Sequence, residues 1–132
     1  MNFALARSRY RQTEAVSAPE VEDPHEVIMI TLRELERSMS VMATAYEAGK
    51  KVPDDHLSRG LTAIYILQSS LDFEKGEDIA VSLFQLYEYA RQQILCCMRR
   101  EENSDIVVAR DCITDILSAW RQIGSQTVRV QG

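Results

Sequence analysis

The sequence predicts an all-α fold: an antiparallel up-down four-helix bundle preceded by a mobile N-terminal arm or a short extra helix. Three observations carry that expectation. In four separate stretches, apolar residues recur at alternating spacings of three and four, the period of one helix face. Glycine, proline and polar clusters fall between those stretches, and no segment alternates with the period of two that a half-buried strand needs. At 132 residues, the chain holds one core that buries roughly two thirds of the unfolded surface.

Residues 1–22 have no sustained period, and charged and small polar residues separate Leu5, Tyr10, Val16 and Val21. They read as a flexible arm. The bundle is expected over 23–124 and a disordered tail over 125–132. The first helix opens at Asp23, a capping residue, with Pro24 at the first helical position, where its missing N–H costs nothing, and Glu26 three residues after the cap. Its stripe is Ile28, Leu32, Leu35, Met39, Met42 and Tyr46, and Gly49 ends it by taking the left-handed turn. Pro53 and Asp54 open the second helix, with Leu57, Leu61, Ile64, Gln68 and Leu71 as its stripe. Gly76 interrupts. The third helix starts near Glu77 or Asp78, whose charges favour a helix N-terminus, and its stripe runs Ile79, Leu83, Leu86, Ala90, Ile94, Cys97. After RREENSD, the fourth stripe is Ile106, Ala109, Ile113, Ile116, Trp120 and Ile123, closed by Gly124. Short connections make neighbouring helices antiparallel, and the seven-residue repeat suits packing at a shallow angle.

Composition excludes several function classes. Fifteen basic residues against twenty acidic ones leave no basic stripe for a phosphate backbone, so no nucleic acid partner is expected. There is no apolar run long enough to cross a bilayer. Three cysteines, two of them adjacent, are not a disulfide framework, which points to a reducing compartment and a cytoplasmic protein.

Catalytic and metal chemistry fare no better. Asp72, Glu74 and Gly76 begin like a calcium loop, but such a loop needs glycine sixth and glutamate twelfth; those positions are Glu77 and Leu83. The cluster reads as cap and charge at a wet corner between helices. A dimetal bundle core needs Glu-x-x-His pairs, and Glu22 with His25 straddles a helix start. Cys96 and Cys97 lack a Cys-x-x-Cys partner and read as small hydrophobes. No phosphate loop or serine nucleophile elbow is present. No enzyme activity, metal or cofactor is expected.

Apolar surface is in excess. A bundle helix needs about three apolar positions in seven, yet Val27 to Ile30 and Ile64 to Leu67 are continuous apolar runs, and Val81, Phe84, Tyr87 and Tyr89 fall outside the third stripe. Two explanations stand side by side. A short bundle with the arm packed back buries more than four seams, or grooves between helices receive an apolar partner segment. On the second, Ile30, Tyr65, Phe84 and Tyr87 line the groove; Trp120 reads as core.

The same residues carry a family resemblance. Leu71-Asp72-Phe73-Glu74-Lys75-Gly76, then Ile79-Ala80, Leu83 and Leu86-Tyr87-Glu88-Tyr89, resemble the signature of the flagellin-specific export chaperone family, FliS. Asp23-Pro24-His25-Glu26-Val27-Ile28 is similar to the family's Ser-Pro-x-x-Leu-Ile, Ala119-Trp120-Arg121-Gln122-Ile123 to its Ala-Trp-x-x-Ile, and Tyr10 with Gln12 to an N-terminal Tyr-x-Gln. The similarity spans about residues 10 to 123. Two departures stand out: Gly76-Glu77 where the family has Gly-Gly, and Ile30-Thr31-Leu32-Arg33-Glu34-Leu35 in place of Met-Leu-Tyr-Asp-Gly-Ala.

The resemblance implies a cytoplasmic chaperone that binds the disordered C-terminal segment of flagellin in hydrophobic grooves, prevents premature polymerisation and delivers it to the export apparatus. Tyr10 and the arm would lie over the groove until cargo displaces them. The alternative is a regulatory adaptor of the same fold for another flagellar protein, an anti-sigma factor or an export-gate component.

Overall fold

A computed structural model describes the backbone of residues 23–131 and the side chains of 23–124. The arm, Tyr10 included, lies outside the described residues. Helix α1 spans Pro24–Glu47, α2 Asp54–Ser69, α3 Phe73–Met98 and α4 Ile106–Gln131. Each packs on its chain neighbours, α1 closes the ring onto α4, and among the described residues the backbones of α2 and α4 make no close approach. Cross-helix bonds give the direction: His25 at the start of α1 meets Trp120 late in α4, and Tyr46 at the end of α1 meets Glu101 in the link before α4. The fold is a four-helix bundle.

The ends follow from local chemistry. Asp23 Oδ1 accepts the amide of His25 at 3.0 Å. Glu26 stays in the first turn, where its charge faces the positive end of the helix dipole. The α1 C-terminus closes with Gly49 at φ +68, its amide donating to Tyr46 and that of Lys50 to Ala45, the paired pattern that caps orphan carbonyls. α3 ends the same way on Arg100 at φ 58, with Arg100 donating to Cys97 and Glu101 to Cys96. In the following link, Tyr46 Oη donates to the Glu101 carbonyl and accepts the Ser104 amide, while Gln93 Oε1 accepts the Asp105 amide at 2.7 Å.

The core is built from Leu32, Leu35, Met39 and Met42 of α1, Ile64 and Leu67 of α2, Tyr87, Ile94 and Cys97 of α3, and Ile106, Ile113 and Leu117 of α4; Val52 closes it from the α1–α2 link. The α1 stripe matches expectation. The others need correcting. α2 buries Leu57, Gly60, Ala63, Ile64 and Leu67 and leaves Leu61 and Gln68 half-exposed. The reason is close approach: a β-carbon on Gly60 would stand 2.8 Å from Met42 Cε and 3.3 Å from Ile94 Cδ1. Small residues therefore take positions that residue size alone would have given to leucines.

In α3 the expected seam is right from Ala90 to Cys97, but before that Ala80 and Tyr87 are buried while Ile79 is 72% exposed and Leu86 36%. Tyr87, expected to lie outside the seam and line a groove, is 3% exposed and belongs to the core. In α4, Leu117 is buried, Ile116 and Trp120 are half-buried and Ile123 is exposed. In α4 the inward face drifts from Ile116 to Leu117, as a seven-residue repeat slips about 20° per heptad around a straight helix; in α3 the inward set, Ala80, Leu83, Tyr87, Ala90, Ile94 and Cys97, keeps that repeat, and the expected stripe left it for the larger Ile79 and Leu86. A first turn from Phe73 precedes α3's long part, which begins after non-helical Glu77, at the Glu77–Asp78 start that the sequence predicts.

Gly124 does not end α4, which continues to Gln131. Its role is a notch. The His25 ring stacks on Trp120 at 5.0 Å and 8°, the Trp120 carbonyl accepts from His25 Nε2 at 2.8 Å, and the His25 carbonyl accepts from Trp120 Nε1 at 3.0 Å. A β-carbon at residue 124 would run into that ring. Gly124→Ala gains about 1 kcal/mol of helix propensity but disrupts two hydrogen bonds and a ring stack, together worth roughly 2 to 3 kcal/mol. The expected net is a loss of about 1 to 2 kcal/mol in a urea melt, with a shifted emission from the single tryptophan. A variant as stable as the parent would refute the notch.

Candidate functional site

The side chains that survive as exposed apolar surface are the starting point, because the core is complete without them. Among the described residues, Ile30, Tyr65, Ile66, Phe73, Ile79, Val81, Phe84, Met98, Val108 and Ile123 are large, apolar and at least 40% exposed. α2 and α3 lie antiparallel, and between them is a cleft of about 480 Å³ lined by Leu61, Tyr65, Gln68, Glu88, Arg91 and Leu95. Leu61, Tyr65 and Leu95 give it apolar surface from two helices, and Gln68, Glu88 and Arg91 form a polar clasp across it.

Helical spacing builds the clasp. Glu88 and Arg91 are three apart on α3 and therefore adjacent on its surface. Arg91 Nε donates to Glu88 Oε1 at 2.9 Å, Gln92 Nε2 to Oε2 at 3.0 Å, and Gln68 Nε2 reaches across from α2 to Oε1 at 3.3 Å and to the Phe84 carbonyl at 3.4 Å. The Arg91 guanidinium, aided by the amides of Gln92 and Gln68, outweighs partial burial and pulls the Glu88 carboxyl from its ordinary 4.5 to about 2.

A folded-state value below the unfolded one means this contribution is full above about pH 4.5 and fades as pH falls toward 2. Because the pair is a third or more exposed, screening holds its contribution below about 1 kcal/mol. Glu88→Gln is expected to lose that fraction at pH 7 and to show a shallower loss of stability between pH 5 and about 2. Parallel acid curves for the two proteins would contradict the assignment.

Of the sequence-predicted lining residues, Tyr65 is on the cleft and Phe84 adjoins it, its carbonyl held by Gln68 and its ring 6.1 Å from Phe73. Ile30 lies on α1, exposed but not among the cleft residues, and Tyr87 is core. Leu61, Gln68, Glu88, Arg91 and Leu95 were not anticipated as lining. One signal was available: Gln68 is a polar residue on an otherwise apolar stripe, the mark of a position at the edge of a seam. On α3, Ile79 and Leu86 extend the line of Ala90, Ile94 and Cys97 onto open surface.

The carboxylate cluster at the α2–α3 corner is a cap. Asp72 Oδ1 accepts the amides of Glu74 and Lys75, both at 3.0 Å. Among the described residues, no group of three or more His, Cys, Asp or Glu is placed to hold a metal. Cys96 and Cys97 are held as thiols: burial pushes Cys97 up, and a hydrogen bond with Glu101 does the same for Cys96. Since the thiolate is the reactive form, neither is activated. No helix among the described residues is long and apolar enough to cross a membrane.

Comparison with known proteins adds the family. The profile described as Flagellar protein FliS matches residues 4–127, nearly the whole chain. The chain belongs to the FliS family. It is 29% identical over 115 residues to a Flagellar secretion chaperone FliS of Vibrio cholerae, covering 86% of this chain and 85% of the relative. A protein of the same description from Salmonella typhimurium is 28% identical over 125 residues, covering 93% of each. No solved structure matches. In this FliS-family chain, the Gly-Gly corner of the family signature is occupied by Gly76 and by Glu77, which has φ 46.

Proposed function

We propose that this FliS-family chain is a flagellar secretion chaperone that holds the disordered C-terminal segment of flagellin, keeps it from polymerising early and passes it to the export apparatus. The observation that supports this most is the cleft between α2 and α3, with Tyr65 and Phe84 left outside a core already closed by other residues. An unfolded segment that becomes helical in such a groove buries apolar turns against Leu61, Tyr65 and Leu95, and the ordering of its backbone offsets much of the gain. Moderate affinity results, which suits a carrier that must release its load.

Residues 1–22 join the fold at Asp23, beside the Trp120 clasp. Tyr10 is 13 residues before Asp23, a chain length of roughly 45 Å at most, enough for it to compete with the cargo for apolar surface. The test of the main reading is co-expression: a tagged chain should retain soluble flagellin through its C-terminal segment and release flagellin lacking that segment. Retention of an anti-sigma factor or an export-gate protein, with no flagellin bound, would replace the chaperone reading by the adaptor.

A further inference from the structure

One residue of α3 has angles that belong to glycine. Glu77 stands at φ 46, ψ −122 inside the helix, a combination that costs a residue with a β-carbon far more than glycine. It divides α3 into a first turn, residues 73–76, and the long remainder. The turn is well made on its own account: Asp72 caps it, and the Gly76 amide donates to the Asp72 carbonyl at 2.8 Å. The strain therefore lies in the joint.

The bend also requires its neighbour. A β-carbon on Gly76 would stand 2.9 Å from the β-carbon of Ala80, a methyl with no rotation that takes it out of the way. What the bend achieves is to set the Phe73 ring against Phe84, 6.1 Å away and tilted by 58°. Phe84 is the residue whose carbonyl Gln68 holds at the edge of the α2–α3 cleft. On the rest of α3, Ile79 and Leu86 stand open to solvent.

We propose that residues 72–77 are a sprung hinge: the free protein holds Glu77 in a strained bend, and a segment binding along α3 releases it. Relaxing Glu77 to right-handed helical angles turns residues 73–76 relative to the rest of α3 and carries Phe73 off Phe84. The proposal rests on the flagellin-binding reading above. It adds that part of the affinity comes from strain discharged in the chaperone, not only from contacts.

A thermodynamic cycle with two opposed variants tests it. Glu77→Gly removes the strain from the free state, so it should raise the melting temperature and weaken binding of a flagellin C-terminal peptide about tenfold. Gly76→Ala burdens the bent state alone, so it should lower the melting temperature and tighten binding several-fold. Should Gly76→Ala fail to fold, Glu77→Gly decides alone. A Glu77→Gly protein that melts higher yet binds like the parent, or one that melts no higher, overturns the hinge. If the parent itself does not bind the peptide, the flagellin reading fails separately. The hinge is then judged on amide exchange of residues 73–80 in the free protein, where Glu77→Gly should slow opening about tenfold and an unchanged rate ends the proposal.

Discussion

Tyr87→Ala is expected to lower the stability of the bundle by about 3 to 4 kcal/mol, the cost of removing a large ring from a packed interior and leaving a cavity. The residue is 3% exposed and lies in the cluster with Ile94 of α3 and the α1 and α2 cores. A change of that size is a large share of the 5 to 15 kcal/mol that holds a domain of this kind together, so the midpoint of urea unfolding should fall sharply. Burial also pushes the Tyr87 hydroxyl up from 10 to about 12. Tyr87 should then ionise late in alkaline titration, and that late step should be missing from the variant. Because the folded-state value is raised, its contribution is full below about pH 10 and is lost as pH climbs toward 12. A variant that unfolds at the parent's midpoint would return Tyr87 to the surface.

The second large effect should appear in binding and not in stability. Tyr65 is 48% exposed and Phe84 40%, and aromatic residues at the edge of an apolar groove are the type that dominates interface energies. The double variant Tyr65→Ala, Phe84→Ala is expected to weaken capture of the flagellin C-terminal segment by at least thirtyfold, about 2 kcal/mol or more. Its unfolding free energy should change by no more than about 1 kcal/mol, the worth of the lost contact with Phe73. Calorimetric titration against the segment and a urea melt on the same samples give both numbers. Undiminished affinity would move the binding surface elsewhere, with exposed Ile79 and Leu86 of α3 next in line. The two variants thus sort two tyrosines of similar sequence context into opposite roles.

Those tyrosines also show how far the sequence could be read. Tyr65 and Tyr87 both sit in apolar runs beyond a three-four stripe, and a count of spacings assigns both to a groove. The structure separates them because α3 turns Ala80 and Tyr87, not Ile79 and Leu86, toward the core, whereas Tyr65 stays on the open side of α2. Which of two adjacent stripes faces inward is set by how α3 lies on its neighbours. Gly60 and Gly124 make the same point. Each looks like a weak place in a helix, and each is occupied from outside: by Met42 and Ile94 against the first, by the His25 ring against the second.

The sequence by itself determined the all-helical class, the Asp23, Pro24 start, the Gly49 stop, the Asp72 corner and most of the core of α1, because caps, breakers and a 3.6-residue period act over a few neighbouring residues and need no partner. It also carried the signature blocks of the FliS family. Only the tertiary structure decided which face of α2 and α3 turns inward, that Tyr87 is buried, that Gln68, Glu88 and Arg91 meet across a cleft, and that α4 runs on past a glycine notch. These depend on the distance and rotation between helices, and that geometry is the outcome of all the side chains packing together at once.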